Sequence, residues 1–293
     1  MKLKELDQRE LREEFMRQEG LCMVSHGVYA PPDVFDGRTR ISEYEWMPRW
    51  LEYNFRKHAD VNDDVWKEVS ENFHEKVYSL TSYPWHLKRI VKQVKGEKVL
   101  NIGTGSSPNL NLALIARGKT VWAVDISPTM LLQAVKTYWH HNLRYQLLDA
   151  RTGFRDHHYV PDQVDTVLAV NSILPERRED VDHMLSEAYY MLREGGRFIG
   201  IFPEYHCHME ARDRFGARLQ IDETNLRIYD TVGWQCVQTR KTIERHLTAA
   251  GFSNLRSEEI QLNTEPEKEM LGELYGIKGD FSFVELLVIA DKT

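Results

Sequence analysis

From residue 98 onward the chain alternates short apolar runs with stretches whose apolar residues recur every three or four positions. Lys98–Ile102 is a short apolar run with an abrupt stop, the pattern of a buried parallel strand, and Thr120–Val124, Leu143–Leu148 and Gln163–Val170 read as the strands that follow. Asn109–Arg117 carries leucines at helical spacing and stops at Gly118, and Ser127-Pro128 opens a further helix through Tyr138. Asp180–Leu192 reads as an amphipathic helix, Arg193–Gly196 as a turn and Arg197–Phe202 as the next strand. Arg240–Gly251 is a helix, Ser253–Leu262 a strand and Phe281–Ala290 (FSFVELLVIA) a last apolar strand; Glu265–Gly279 between them is a helix or loop and a possible lid. Strands alternating with helices in this way predict an α/β fold built on a largely parallel sheet.

Residues 1–80 lie outside that alternation and predict a helical N-terminal cap. Leu3–Arg17 is a charged helix, Gly20–Thr39 with Pro31-Pro32 is a loop, and Ser42–Lys57 and Asn62–Tyr78 are helices. Trp46, Trp50 and Tyr53 share one face of the first of these; Trp66, Val69 and Phe73 follow in the second. These rings are the core of the cap, and some of them also suit a wall that attracts a cation. Ser82 caps a helix, with Pro84 in its first turn, that runs to about Val94 before Gly96. Tyr78 and Tyr83, just before it, are candidate lid residues.

The candidate chemistry begins after the first strand. Gly103-Thr104-Gly105 turns the chain where side chains would block a ligand, and Asp125 closes the next strand, where a carboxylate can accept from both hydroxyls of a nucleoside ribose. A dinucleotide fingerprint wants a third glycine where Pro108 stands, and no phosphate-loop lysine follows. The turn therefore suits a nucleoside cofactor without a phosphate.

These residues resemble motif I of the class I S-adenosylmethionine-dependent methyltransferases, with Asn101 where the family usually has an acid and Ser107 where it has a third glycine. The helix–L-R-x-G-G–strand run around Leu192–Gly196 and the closing pair of strands after Ala249-Ala250-Gly251-Phe252 extend the resemblance over about residues 80–293. It implies a doubly wound, Rossmann-like sheet of seven strands, mostly parallel with the last antiparallel. Residues 81–293 would form the cofactor-binding domain, with 203–238 as an insert on the substrate side. It also implies roles. Asn101, Gly103, Thr104 and Gly105 would hold the methionine part, Asp125 the ribose, Ile126 the adenine face, and Asp149 with the Ala150 amide the adenine edge. Asn171 would face the methyl donor or orient the substrate, and Tyr83 would close over the cofactor. Asn171 is not followed by the P-P-Y of amino-purine methyltransferases, which argues against nucleic-acid bases as acceptors.

Substrate choice should lie in the insert, which overhangs the binding face. His206 and His208 on an extended segment would point the same way, but no third metal ligand stands out; Glu204 or His206 is the expected general base. A formal net charge of −7 without a dense basic tract makes nucleic acid a poor partner. Cys22, Cys207 and Cys236 are odd in number and share no metal-site spacing, as expected of free thiols in a reducing cytosol. No apolar run has the length of a membrane span, and the charged N-terminus is unlike a signal peptide. The reading is S-adenosylmethionine-dependent methyl transfer to a small organic molecule, with the aromatic cap favouring an aromatic or cationic one. An NAD(P)-dependent oxidoreductase, or a nucleoside-binding module without methyl transfer, is the alternative.

Overall fold

The structure is a computed structural model that describes residues 16–18, 20–25, 28–30, 41–42, 79–138, 140–155, 159–230, 233–277 and 279–293. The helices expected within residues 3–17 and 42–78, and with them the aromatic stripes and Tyr78, lie essentially outside the described residues. So does the pair His157-His158. Within Gly20–Thr39, expected to be loop, the chain forms strands β1 (Cys22–Ser25) and β2 (Val28–Ala30); with β3 (Ile41–Ser42) they make a small antiparallel sheet.

The main sheet has seven strands: β4 (Lys98–Ile102), β5 (Thr120–Asp125), β6 (Leu143–Leu147), β7 (Val164–Val170), β8 (Leu192–Pro203), β12 (Ser253–Leu262) and β13 (Phe283–Asp291). Their spatial order is β12-β13-β8-β7-β4-β5-β6. β4 to β8 pair parallel with their neighbours, whereas β13 runs antiparallel between β8 and β12. The expected doubly wound sheet with a reversed last strand is therefore the fold. Helices cover both faces because the strands are apolar on both. Ile90 of α1 (Pro84–Gln93), Leu110 and Leu114 of α2 (Asn109–Ile115) and Leu131 of α3 (Pro128–Thr137) pack with Val99 and Val121 on one side. Val181 and Leu185 of α4 (Arg178–Met191) pack with Leu100, Val167 and Phe198 on the other.

Local chemistry sets the helix ends. The Ser127 side chain accepts from Met130 N at 3.1 Å and Pro128 fills the first position of α3, as expected. α1 begins one residue later than expected: Tyr83 is its N-cap and Ser82 ends a preceding 3₁₀ turn, because Pro84 itself sets the first helical φ.

The insert after β8 departs further from expectation. Tyr205–Phe215 is a helix, α5, and not an extended segment. The Glu204 carboxylate accepts from Cys207 N at 2.7 Å and so caps it. A three-stranded antiparallel sheet follows, of β9 (Gln220–Asp222), β10 (Arg227–Asp230) and β11 (Gly233–Cys236). α6 (Arg240–Ala249) then leads to β12, and α7 (Glu265–Tyr275) bridges β12 and β13.

Candidate functional site

The order of strands reverses between β4 and β7, and the carboxyl ends of two such strands leave a crevice. Here it is a cavity of about 560 Å³. The β4–α2 turn, the ends of β5, β6 and β7, the start of β13 and the inner face of α7 all border it. Asn101, Gly103, Thr104, Gly105, Asp125, Ile126, Asp149, Ala150 and Asn171 all line it; Tyr83, Glu204 and His206 do not.

The turn after β4 is tied from several sides. Gly103 has φ +65° and Gly105 φ +62°, the left-handed region in which a side chain is strained. Thr104 N donates to Val124 O at 3.0 Å, which stitches the turn to β5. Gly105 N donates to Asp125 Oδ2 at 2.7 Å and Ser127 N to Asp125 Oδ1 at 2.9 Å, so the buried carboxylate is oriented by two backbone amides. Asn101 lies at the bottom of the turn. Its Nδ2 donates to Asn111 Oδ1 at 2.9 Å and to Thr104 Oγ1 at 3.2 Å, and Asn111 Nδ2 donates to Thr104 Oγ1 at 2.8 Å. The uncharged residue at the family's usual acid position thus braces the turn. Asn111 had no place in the sequence reading, because an asparagine between helical leucines gives no signal that it faces inward.

Asp149 stands at the end of β6, but Arg151 of its own turn already forks its carboxylate, Nη2 to Oδ2 at 2.9 Å and Nε to Oδ1 at 3.0 Å. An adenine amino group would share that carboxylate with a guanidinium. Among the described residues, Ser107 Oγ, buried on the cavity wall, has no hydrogen-bond partner, and a Cβ at Gly105 would meet no atom within 4 Å.

The other end of the cavity comes from the insert and the last hairpin. His208, Leu271, Leu274, Tyr275 and Phe283 give it an apolar and aromatic wall. Burial pushes the His208 imidazole below its ordinary range, so the ring is neutral. His208 Nδ1 is 2.8 Å from Glu204 O; a carbonyl can only accept, so Nδ1 carries the proton and Nε2 keeps a lone pair. His206, two positions along a helix, points elsewhere and is exposed. The idea that both rings share a side is corrected by the helix that Glu204 caps. Burial raises the Glu204 carboxyl, against the Cys207 amide bond that lowers it. Tyr83 packs against Trp85 and His86. Desolvation, then the charge of Glu267, raises its hydroxyl.

Two residues here escaped the sequence reading. Glu285 is the one charge within the apolar run Phe281–Ala290, and that departure from pattern is its signal in the sequence. Because β13 runs backwards, its first residues come to the carboxyl ends of the parallel strands, with Glu285 opposite Pro203 of β8. Burial raises the Glu285 carboxyl to about 7, opposed by the Asn171 hydrogen bond and reinforced by the charge of Glu267. Glu267, on α7, is fully buried; its Oε1 is 2.5 Å from His86 Nε2 of α1, and Thr264 donates to its Oε2 through both N and Oγ1.

Residues 99–196, which hold this turn, the Asp125 carboxylate and the strands beside them, match the model of a family described as a methyltransferase domain. Over this third of the chain the protein carries a methyltransferase domain. It is an enzyme whose cofactor is S-adenosylmethionine. Solved structures share the fold. An S-adenosylmethionine-dependent methyltransferase of Mesorhizobium loti is 20% identical, with a TM-score of 0.53 over 73% of this chain and 100% of that one. A Pyrococcus horikoshii protein is 17% identical, with a TM-score of 0.55 over 74% and 95%. A Haemonchus contortus N-methyltransferase in complex with phosphomonomethylethanolamine and S-adenosylhomocysteine is 19% identical, with a TM-score of 0.50 over 70% and 51%. A search of curated proteins by sequence finds no match.

The methyltransferase's own atoms fit this cofactor: an oriented carboxylate at the end of β5, open space over Gly105, and an unserved hydroxyl on Ser107. Bound S-adenosylmethionine supplies a methyl group on a sulfonium, a leaving group that needs no further activation. The protein must align the acceptor for in-line attack and remove a proton where the acceptor carries one. Among the described residues no helix is long and apolar enough to cross a membrane, and no three His, Cys, Asp or Glu side chains gather as a metal ion would require.

Proposed function

We propose that the enzyme transfers the methyl group to a small organic molecule seated between the β4–α2 turn and the wall of His208, Leu271, Tyr275 and Phe283. The observation that carries this is the continuity of one cavity of about 560 Å³ from Asp125 to Tyr275. Its size suits a cofactor with a metabolite-sized acceptor beside it. In this reading Asp125 holds the ribose, Ile126 and Ala150 flank the adenine with Asp149 and Arg151 at its edge, and the Gly103–Gly105 backbone receives the methionine part. The aromatic wall favours an acceptor that is itself aromatic or carries a cation.

The test uses S-adenosylmethionine with a deuterated methyl group and a cell extract split into small-molecule and macromolecular fractions. Label in a compound of the small-molecule fraction, detected by mass, is the expected result. Label confined to protein or nucleic acid would overturn the proposal.

A further inference from the structure

The inner end of the cavity holds two buried acceptors that the protein does not serve. Glu285 and Asn171 both line it. They are joined by one hydrogen bond, Asn171 Nδ2 to Glu285 Oε1 at 2.7 Å. The two atoms left over, Glu285 Oε2 and Asn171 Oδ1, have no hydrogen-bond partner among the described residues. Glu285 is 6% exposed. Native structures seldom leave such atoms unsatisfied without a reason, and a ligand is one reason. Both residues are held in place by the backbone. Asn171 sits at φ +49°, in the left-handed region, with its N donating to Ile201 O at 3.0 Å. Glu285 is fixed by the ladders of β13 to β8 and β12.

With Glu285 ionised, the pair asks for donors, and for at least two. A hydroxyl offers one, an amine nitrogen two or three. Asn171 also adjoins the turn that would receive the methionine part: a Cβ on Gly103 would meet the Cβ of Ser172, the next residue. A nitrogen bound to Glu285 and Asn171 is therefore close to where the methyl group is delivered. Resting on the methyl-transfer reading above, we propose that the acceptor is an amine, that Glu285 and Asn171 receive its nitrogen, and that Glu285 takes the proton that must leave before methylation.

The chemistry balances. A protonated amine has no lone pair to attack with. One proton passes from R–NH₃⁺ to the Glu285 carboxylate, giving R–NH₂ and the neutral acid. The nitrogen lone pair then forms a bond to the methyl carbon, the carbon–sulfur bond breaks, and its electron pair stays on sulfur. The products are R–NH₂–CH₃⁺ and S-adenosylhomocysteine, and Glu285 returns its proton to water. The raised affinity of Glu285 for a proton suits this step. The groups around it are few. Glu267 of α7 acts through its charge, itself paired with His86 of α1; neutral His208 of α5 and Tyr275 of α7 line the same cavity. The flanking strands place Pro203 and Ile260 opposite it.

The experiment titrates the full chain, first saturated with S-adenosylhomocysteine, with benzylamine and butylamine, and with benzyl alcohol and butanol as matched controls. We expect the amines to bind more tightly than the alcohols. Glu285→Gln should lose at least tenfold in amine affinity while its affinity for S-adenosylhomocysteine stays within twofold, which also shows that it folds. Asn171→Gly suits the left-handed backbone, removes one of the two acceptors and the hydrogen bond to Glu285 while keeping the Glu285 carboxylate, and should weaken the amines as well. Alcohols that bind as well as amines, amine binding absent from the wild type, or amine binding unchanged in both variants would overturn the proposal. So would a tenfold loss of S-adenosylhomocysteine in Glu285→Gln, which would put the carboxylate on the cofactor. Failure of the wild type to bind S-adenosylhomocysteine at all would instead defeat the reading beneath it.

Discussion

Replacing Glu285 by glutamine should make the ligand-free protein more stable, and increasingly so as the pH rises. The carboxyl holds its proton to about 7 in the folded chain, against an ordinary value of 4.5. Below pH 4.5 it is neutral whether the chain is folded or not and has no effect on the balance. Between 4.5 and 7 the unfolded chain releases the proton while the folded chain keeps it, so stability drains away across that interval and is level above it. At about 1.4 kcal/mol per pH unit, the interval from 4.5 to about 7 corresponds to roughly 3 kcal/mol. Glutamine has nearly the same shape and does not titrate. The stability gap between variant and wild type should therefore widen by about 3 kcal/mol between pH 4.5 and pH 8, or about 6 °C in midpoint for a chain of this size. Urea unfolding of both proteins at the two pH values measures it, and every other titrating group cancels in the comparison. A gap that is the same at both pH values, or that narrows as pH rises, would refute the claim that this carboxyl is buried and unserved. A site that costs stability until its ligand arrives is a common trade between stability and function.

Asp125→Ala should weaken S-adenosylhomocysteine by about 1.5–3 kcal/mol, the scale of hydrogen bonds to a charged group, and calorimetry should read it as a roughly ten- to hundredfold change; an unchanged affinity would remove Asp125 from the site. The two turn glycines should separate. Gly103→Ala drives a Cβ into Ser172 at a left-handed φ and should lower the urea midpoint markedly, whereas Gly105→Ala meets no protein atom and should lose cofactor affinity far more than stability. His86→Ala removes a hydrogen-bond partner from the buried Glu267 and should destabilise by about 1–3 kcal/mol, towards the low end because Thr264 still donates to it. A loss below about 0.5 kcal/mol would show that the pair is idle. His206→Ala, on an exposed helix face outside the cavity, should keep turnover within about twofold, the usual result for a surface change.

The centre of the main sheet was legible because its strands are covered by helices on both faces, so β4, β5 and β7 appear as mainly apolar runs. β4, β5 and β7 could be placed almost to the residue. The Ser127 cap and the acid closing β5 were legible because their chemistry is local. The insert was not. Tyr205–Phe215 has only weak amphipathic periodicity, and its start depends on the Glu204 side chain turning onto Cys207 N. Without that cap in view, His206 and His208 look like neighbours on a strand; in the helix only His208 reaches the cavity. The strands of the small sheet are too short to show alternation. Glu285 depends on topology: only the reversal of β13 carries the start of the last strand to the mouth of the others.

The central claim is that S-adenosylmethionine lies across the carboxyl ends of β4 and β5, with its sulfur turned towards Asn171 and Glu285. A crystal structure of the full chain with S-adenosylhomocysteine tests it most directly. The account predicts both ribose hydroxyls within hydrogen-bond distance of Asp125, the methionine part over Gly103–Gly105, and free space between the sulfur and Glu285. A nucleoside bound elsewhere, or one whose ribose does not touch Asp125, would contradict it.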